Sequence, residues 1–340
     1  MNLPSAGRRS RTDQAQTAVT DDGSLSPGVD PHQPSGSESP PSAPSDSAPG
    51  TGEAAAPVRS PGLRRFLRRF ASNRVSVVAL GILFLIILAA VFAPWLAPYD
   101  PNAIDVRNRL SAPSAVHWLG SDALGRDTFS RILYAGRASL FAAATAVGIA
   151  VAVGVPFGLI AGYVGGRVDW ILGRAADVLM TFPAIILAIA IIAATGPGLT
   201  NAMIALGIVY SPRLFRVVRS ATLGVRAETY IEASVSIGTP AHSIIARRIL
   251  PNILSPLLVQ ISLMLAAALL AEAALSLLGL GVVPPTPSWG NMLGNAFGDI
   301  RSSPFLVWWP GLAIAVTTLC FNLIGDGLRD SLGREVRKGD

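Results

Sequence analysis

The chain has 340 residues, 51% hydrophobic and only 14% charged, with a mean hydropathy of +0.49 and a formal net charge of +6. Soluble globular domains carry about 25% charged residues, so this balance points to a membrane protein. The lone cysteine, Cys320, excludes an internal disulfide, and the basic residues flank apolar runs where a nucleic-acid binder would gather them into a patch.

Residues 1–58 are rich in Ser, Pro, Ala and Gly and lack aromatics, which predicts a disordered cytoplasmic tail. Over 59–74, Arg64, Arg65, Arg68 and Arg69 interleave with Leu63, Phe66, Leu67 and Phe70, the pattern of a basic amphipathic helix lying on the lipid bilayer surface. A first transmembrane helix is expected at 75–97, with Trp95 and Tyr99 at its far interface, and an extracytoplasmic loop at 98–137. Further spans are expected at 138–162, 176–194, 202–218, 254–283 and 305–324. Gly148, Gly154 and Gly158 suit close helix packing in the second, and Pro183 bends the third. A Pro- and Trp-rich loop separates the last two spans, and a tail at 328–340 closes the chain.

Six alternating spans with the N-terminus inside place eighteen Arg and Lys residues on inner segments and six on outer ones. The positive-inside rule then predicts a multi-pass protein of the inner membrane with both termini cytoplasmic.

The fourth and fifth spans are joined by a polar stretch, 228–252, that reads as two short helices with a sharp break. Gly238 stands where a helix-ending glycine belongs, Thr239 and Pro240 form an N-cap and first-turn pair, and Pro251 ends the second helix or starts the next. Such a knob suggests a docking device, although an ordinary loop with helical turns satisfies the same spacing.

Glu232, Ala233, Ser234, Gly238 and then Ile249, Leu250 and Pro251 resemble the EAA loop of the membrane subunits of ABC importers, with Ser234 for the usual second alanine and Arg248 where histidine is common. The segments HWLGSDALGRD, GYVGGRVD, LSLLGLGVVPPTPSWG and NLIGDGLRDSLG resemble, in order, signatures of the C-type permease subunit of the dipeptide, oligopeptide and nickel branch. The resemblance implies an all-α polytopic membrane protein of six transmembrane helices with the importer-permease (MetI-like) fold, its core at 138–327. It further implies half of a translocation pathway, completed by a second permease subunit, two ABC ATPase subunits and an extracytoplasmic solute-binding protein. In that family the 228–252 loop couples to the ATPase, so Thr239, Pro240 and Arg248 join the coupling set. Asp122, Arg126, Asp127, Trp289 and Gly290 are candidates for docking the binding protein. The expected cargo is a peptide or a related small solute, with a nickel complex as the alternative.

No enzyme is expected in this chain. Its one lysine, Lys338, precedes Gly339 and cannot complete a P-loop, so ATP would be used by partner subunits and no cofactor bound here. His32, His117 and His242 lie far apart in sequence, without metal-ligand spacing or a hydrolase motif, so neither metal nor catalytic residues are expected. Glu272 is the clearest ionisable residue within a span and a candidate for helix pairing or the pathway. A stand-alone secondary transporter would need several such groups, which keeps it a weaker alternative.

Overall fold

The computed structural model describes residues 70–333. Among them every regular element is a helix, apart from one isolated bridge between Ser121 and Asp127. The tail expected at 1–58 and residues 59–69 of the interfacial helix expected at 59–74 lie outside the described residues, as do 334–340.

Helix α1 (Arg74–Val91) starts where the Asn73 side chain accepts the Ser76 amide. It stops short of the expected 97 because the backbone breaks at Phe92; a four-residue helix, α2 (Ala93–Leu96), follows with Pro94 in its first turn. Helix α3 (Thr128–Val164) has 37 residues, about 55 Å of rise. It begins ten residues before the expected span, since Asp127 accepts the Ser130 amide and caps a run of good helix formers.

The most extensive packing joins α3 to α6 (Leu199–Arg226). Gly154, Gly158 and Gly162 recur every four residues and so share one face of α3. A methyl at Gly158 would sit 2.8 Å from Val218 Cβ, and one at Gly154 2.8 Å from the Ser211 carbonyl oxygen. Without a hydrophobic drive between helices in lipid, such close approach supplies the dispersion that holds them. Gly148 does not take part: nothing lies within 4 Å of where its Cβ would be, so it faces open space.

The segment expected to form one bent span at 176–194 is two helices at 92°: α4 (Gly166–Thr181) and α5 (Ala184–Thr195). The break falls at Phe182, whose extended backbone is what a following proline imposes, and at Pro183, which cannot donate a helical hydrogen bond. Arg219 of α6 pairs with Asp169 of α4, and Arg216 with Asp177 at 2.5 Å.

After the 228–252 stretch, α9 (Leu250–Leu277) returns along the bundle and ends six residues before the expected 283. Gly279, at φ +76°, reverses the chain there. The short helix α10 (Trp289–Gly298) leads to α11 (Phe305–Gly333), which packs along α9 and ties to α1 where the Ser76 hydroxyl donates to the Leu323 carbonyl at 2.9 Å. Among the described residues, four helices are long and apolar enough to cross a membrane, five if the α4–α5 pair counts as one. The count of six expected from sequence is therefore not met by length and composition alone. The shortfall lies in α6, whose length suffices but whose Arg213, Arg216 and Arg219 dilute its apolar run, and in the right-angle break between α4 and α5.

Candidate functional site

The chain runs repeatedly between two ends, one carrying 228–252 and the other the 98–127 and 278–304 loops. At the first end α7 (Thr229–Ser236) closes on Gly238 at φ +76°, with the Gly238 amide donating to the Val235 carbonyl and the Thr239 amide to the Ser234 carbonyl. This is a Schellman motif, in which glycine takes the left-handed position at no steric cost. Thr239 is not the next N-cap: Pro240 holds that position, ahead of α8 (Ala241–Ile244). Of the two expectations for Pro251 the second holds: it does not end the second helix but stands in the first turn of α9. A π turn at Ile245–Ile249 joins α8 to α9, so Ala241–Leu277 runs as one span; the widened turn lies just before Pro251, which has no amide hydrogen to donate.

Ile231 and Ser234 are buried one helical turn apart, and the Ser234 hydroxyl donates to the Tyr230 carbonyl at 2.5 Å. The opposite face shows Glu232, Ala233, Val235 (55% exposed) and Ile237 (77% exposed) to the surroundings. Ile249 is buried, Arg248 and Leu250 are half-buried, and Pro240 and Pro251 are exposed. Sequence reasoning missed Tyr230 and Asn252, which lock the two halves of the knob together. Asn252 Nδ2 donates to Tyr230 Oη at 2.8 Å, and Arg248 reaches the Tyr230 carbonyl at 3.3 Å. Burial, helped by the Glu228 carboxylate and opposed by Arg248, raises the Tyr230 phenol above its usual pKa, so it stays protonated at neutral pH.

Glu272 is fully buried on α9. The Ser139 hydroxyl of α3 donates to its Oε2 at 3.1 Å and Ser276 to its Oε1 at 2.7 Å. Ser139 in turn accepts the Trp289 amide at 3.1 Å, so one carboxyl ties α3, α9 and α10 together. Such a satisfied network pairs helices.

At the opposite end the HWLGSDALGRD segment folds on itself. Asp122 accepts the Leu124 and Arg126 amides and the Arg126 Nε at 2.7 Å. Asp127 is buried, with His117 Nδ1 at 2.9 Å on one oxygen and the Ser130 hydroxyl at 2.7 Å on the other. Trp289 is 3% exposed, with its indole nitrogen donating to the Ile132 carbonyl. Gly290 is buried where a Cβ would fall 2.5 Å from Ala273 Cα. Asp127, Trp289 and Gly290 therefore present no docking surface in this conformation; their roles are cap, anchor and close approach. Of that set, Asp122 and Arg126 are the residues that reach solvent.

The profile of the family described as binding-protein-dependent transport system inner membrane component matches residues 154–338. The chain belongs to this permease family. A second profile, the N-terminal TM domain of oligopeptide transport permease C, matches the permease at 60–113. It is 43% identical over 274 residues to the dipeptide transport system permease protein DppC of Alkalihalophilus pseudofirmus, covering 81% of the permease and 90% of that protein. It is also 43% identical over 281 residues to the glutathione transport system permease protein GsiD of Escherichia coli, covering 82% and 92%. A solved chain of the inward-facing MetNI methionine ABC transporter aligns with TM-score 0.48 at 20% identity, covering 58% of the permease and 93% of that chain. The permease is thus a multi-pass membrane component of a binding-protein-dependent transport system.

Proposed function

We propose that the permease forms half of the translocation pathway of an ATP-driven importer for dipeptides or other short peptides. The observation that carries this reading is the exposed apolar face of α7, held on a rigid Schellman-turn knob, in a chain whose curated relatives are named for dipeptide and glutathione transport. Those names do not favour a nickel complex as cargo. A second permease subunit completes the pathway, two ATPase subunits bind the knob, and an extracytoplasmic solute-binding protein delivers the peptide. ATP acts on the partners; this chain binds no cofactor. The excess of arginine around 228–252 supports a cytoplasmic knob in the inner membrane, with both termini on that side.

The coupling knob comprises Glu232, Ala233 and Ser234 of α7, the Gly238 turn, Thr239 and Pro240, and the Arg248, Ile249, Leu250 and Pro251 segment; buried Ser234 and Ile249 act in it by holding the fold that presents the exposed residues. Closure of ATP-loaded partners presses this knob, and the continuous Ala241–Leu277 helix transmits the push through the bilayer. Reconstitution of the four membrane-associated subunits with the binding protein in proteoliposomes tests the reading. Uptake of a labelled dipeptide should require ATP and every subunit. ATP-independent uptake by the permease alone would return a stand-alone transporter, and uptake of a nickel complex but no peptide would return the other cargo.

A further inference from the structure

A cavity of about 310 Å³ opens at the end opposite the knob, between the start of α3 and helix α10, lined on both sides by charged side chains. On one side Arg126 and Arg131 share a single carboxylate, Asp122, at 2.7 and 3.5 Å, which leaves that wall with a surplus positive charge. Arg131 is 2% exposed; one guanidinium nitrogen donates to the Pro101 carbonyl at 2.8 Å, which meets a hydrogen but not the charge, and surplus charge on a buried guanidinium is unfavourable until an anion meets it. On the other side half-buried Asp299 has no cationic or hydrogen-bonding partner for its carboxylate among the described residues, and exposed Asn295, whose amide nitrogen donates to Asn291, offers its oxygen to the cavity mouth. The Thr128 hydroxyl, on a lining residue 2% exposed, is buried with no hydrogen-bond partner. A void of this size is in the range of small-molecule sites.

The geometry points to a subsite for a zwitterion of dipeptide size, its carboxylate toward Arg126 and Arg131 and its ammonium toward Asp299 and Asn295. The ligand class rests on the peptide-import reading; the existence of the charged cavity does not. The permease itself would then touch the peptide as it leaves the binding protein, so cargo selection would not be confined to that protein.

The test uses the assembled transporter in lipid nanodiscs without its binding protein, titrated calorimetrically with alanyl-alanine, its N-acetyl derivative and its C-terminal amide. Alanyl-alanine should bind, and each blocked analogue should bind roughly tenfold more weakly, the size of a lost charge-assisted hydrogen bond. Asp299→Asn should weaken alanyl-alanine roughly tenfold and erase the discrimination against the N-acetyl form, and Thr128→Val should lower affinity while the complex still assembles. Equal binding of all three compounds, or no binding, overturns the subsite. So does an Asp299→Asn variant that binds alanyl-alanine normally and loses affinity only for the binding protein, which would give the cavity to a side chain of that partner. ATP-driven uptake by the complete wild-type system separates the two readings. Uptake without direct binding removes the subsite alone, binding without uptake removes the import reading alone, and failure of both removes both.

Discussion

At Gly238 a methyl group would meet nothing within 4 Å, so the objection to a side chain there is conformational, not steric. Gly238→Ala should therefore cost about 1–2 kcal/mol of local stability, the penalty of the left-handed backbone. Membrane insertion should remain while ATP hydrolysis and uptake lose their coupling, and Gly238→Pro should uncouple them fully because its φ is locked negative. Comparing ATPase activity with and without peptide-loaded binding protein checks this; wild-type coupling in the proline variant would remove the knob from the mechanism. Glu272 gives a second prediction at this scale. Glu272→Gln keeps an acceptor for Ser139 or Ser276 and should transport normally, whereas Glu272→Ala leaves buried hydroxyls unpaired and should destabilise the bundle by about 1–3 kcal/mol, read from thermal unfolding in detergent. A stable Glu272→Gln protein without transport would instead assign the acid to the pathway. Gly238 was legible in the sequence because a helix-ending glycine is a local signal. Tyr230 and Asn252 were not, because their bond spans 22 residues and exists only once the two halves fold together.

Helices are legible where their signals are local and run over where they are not. Hydropathy marked the lipid-crossing part of α3 but not its first turns, because Arg131 and Arg137 read as loop until Asp127 is seen to cap them. Pro183 announced a bend but not its 92°, and the ion pairs by which Arg216 and Arg219 of α6 meet Asp177 and Asp169 of α4 lie in no window of sequence. Two of the three small residues named for packing do meet α6, and the spacing of four explains why Gly148 does not join them: it lies six residues from Gly154, on another face. Gly158→Leu should drive α3 from α6, since even one methyl would press Val218; overpacking of this kind costs about 1–3 kcal/mol. The same substitution at Gly148 should be silent. Thermal unfolding of the two variants side by side is the check, and equal losses would contradict the packing described.

For the whole molecule, orientation is the property on which coupling and cargo delivery both depend. Replacing the buried Cys320 by serine and placing single cysteines at Ile237 and Val116, both exposed, gives one reporter at each end. A membrane-impermeant maleimide should label Val116→Cys in intact cells and Ile237→Cys only in inverted vesicles. The reverse pattern would turn the molecule over and remove the knob from the ATPase side. The arginine distribution predicts this end-to-end polarity from sequence, whereas no local signal announces the closing of the 98–127 loop over buried Asp127, because its His117 and Ser130 contacts belong to the folded loop.

The right angle between α4 and α5 has one further consequence. Twelve residues of α5 rise about 18 Å, well short of a hydrocarbon core of about 30 Å. Beside it α4 carries Asp169, Arg174 and Asp177 around an open charged cleft. A lone copy would leave the short α5 uncovered beside a cleft whose ions belong at the membrane boundary, and acyl chains solvate neither ions nor unpaired backbone. The amount of this chain in the cell should therefore follow the supply of its sister subunit and not the level of its own message, which a pulse-chase with and without that subunit would check.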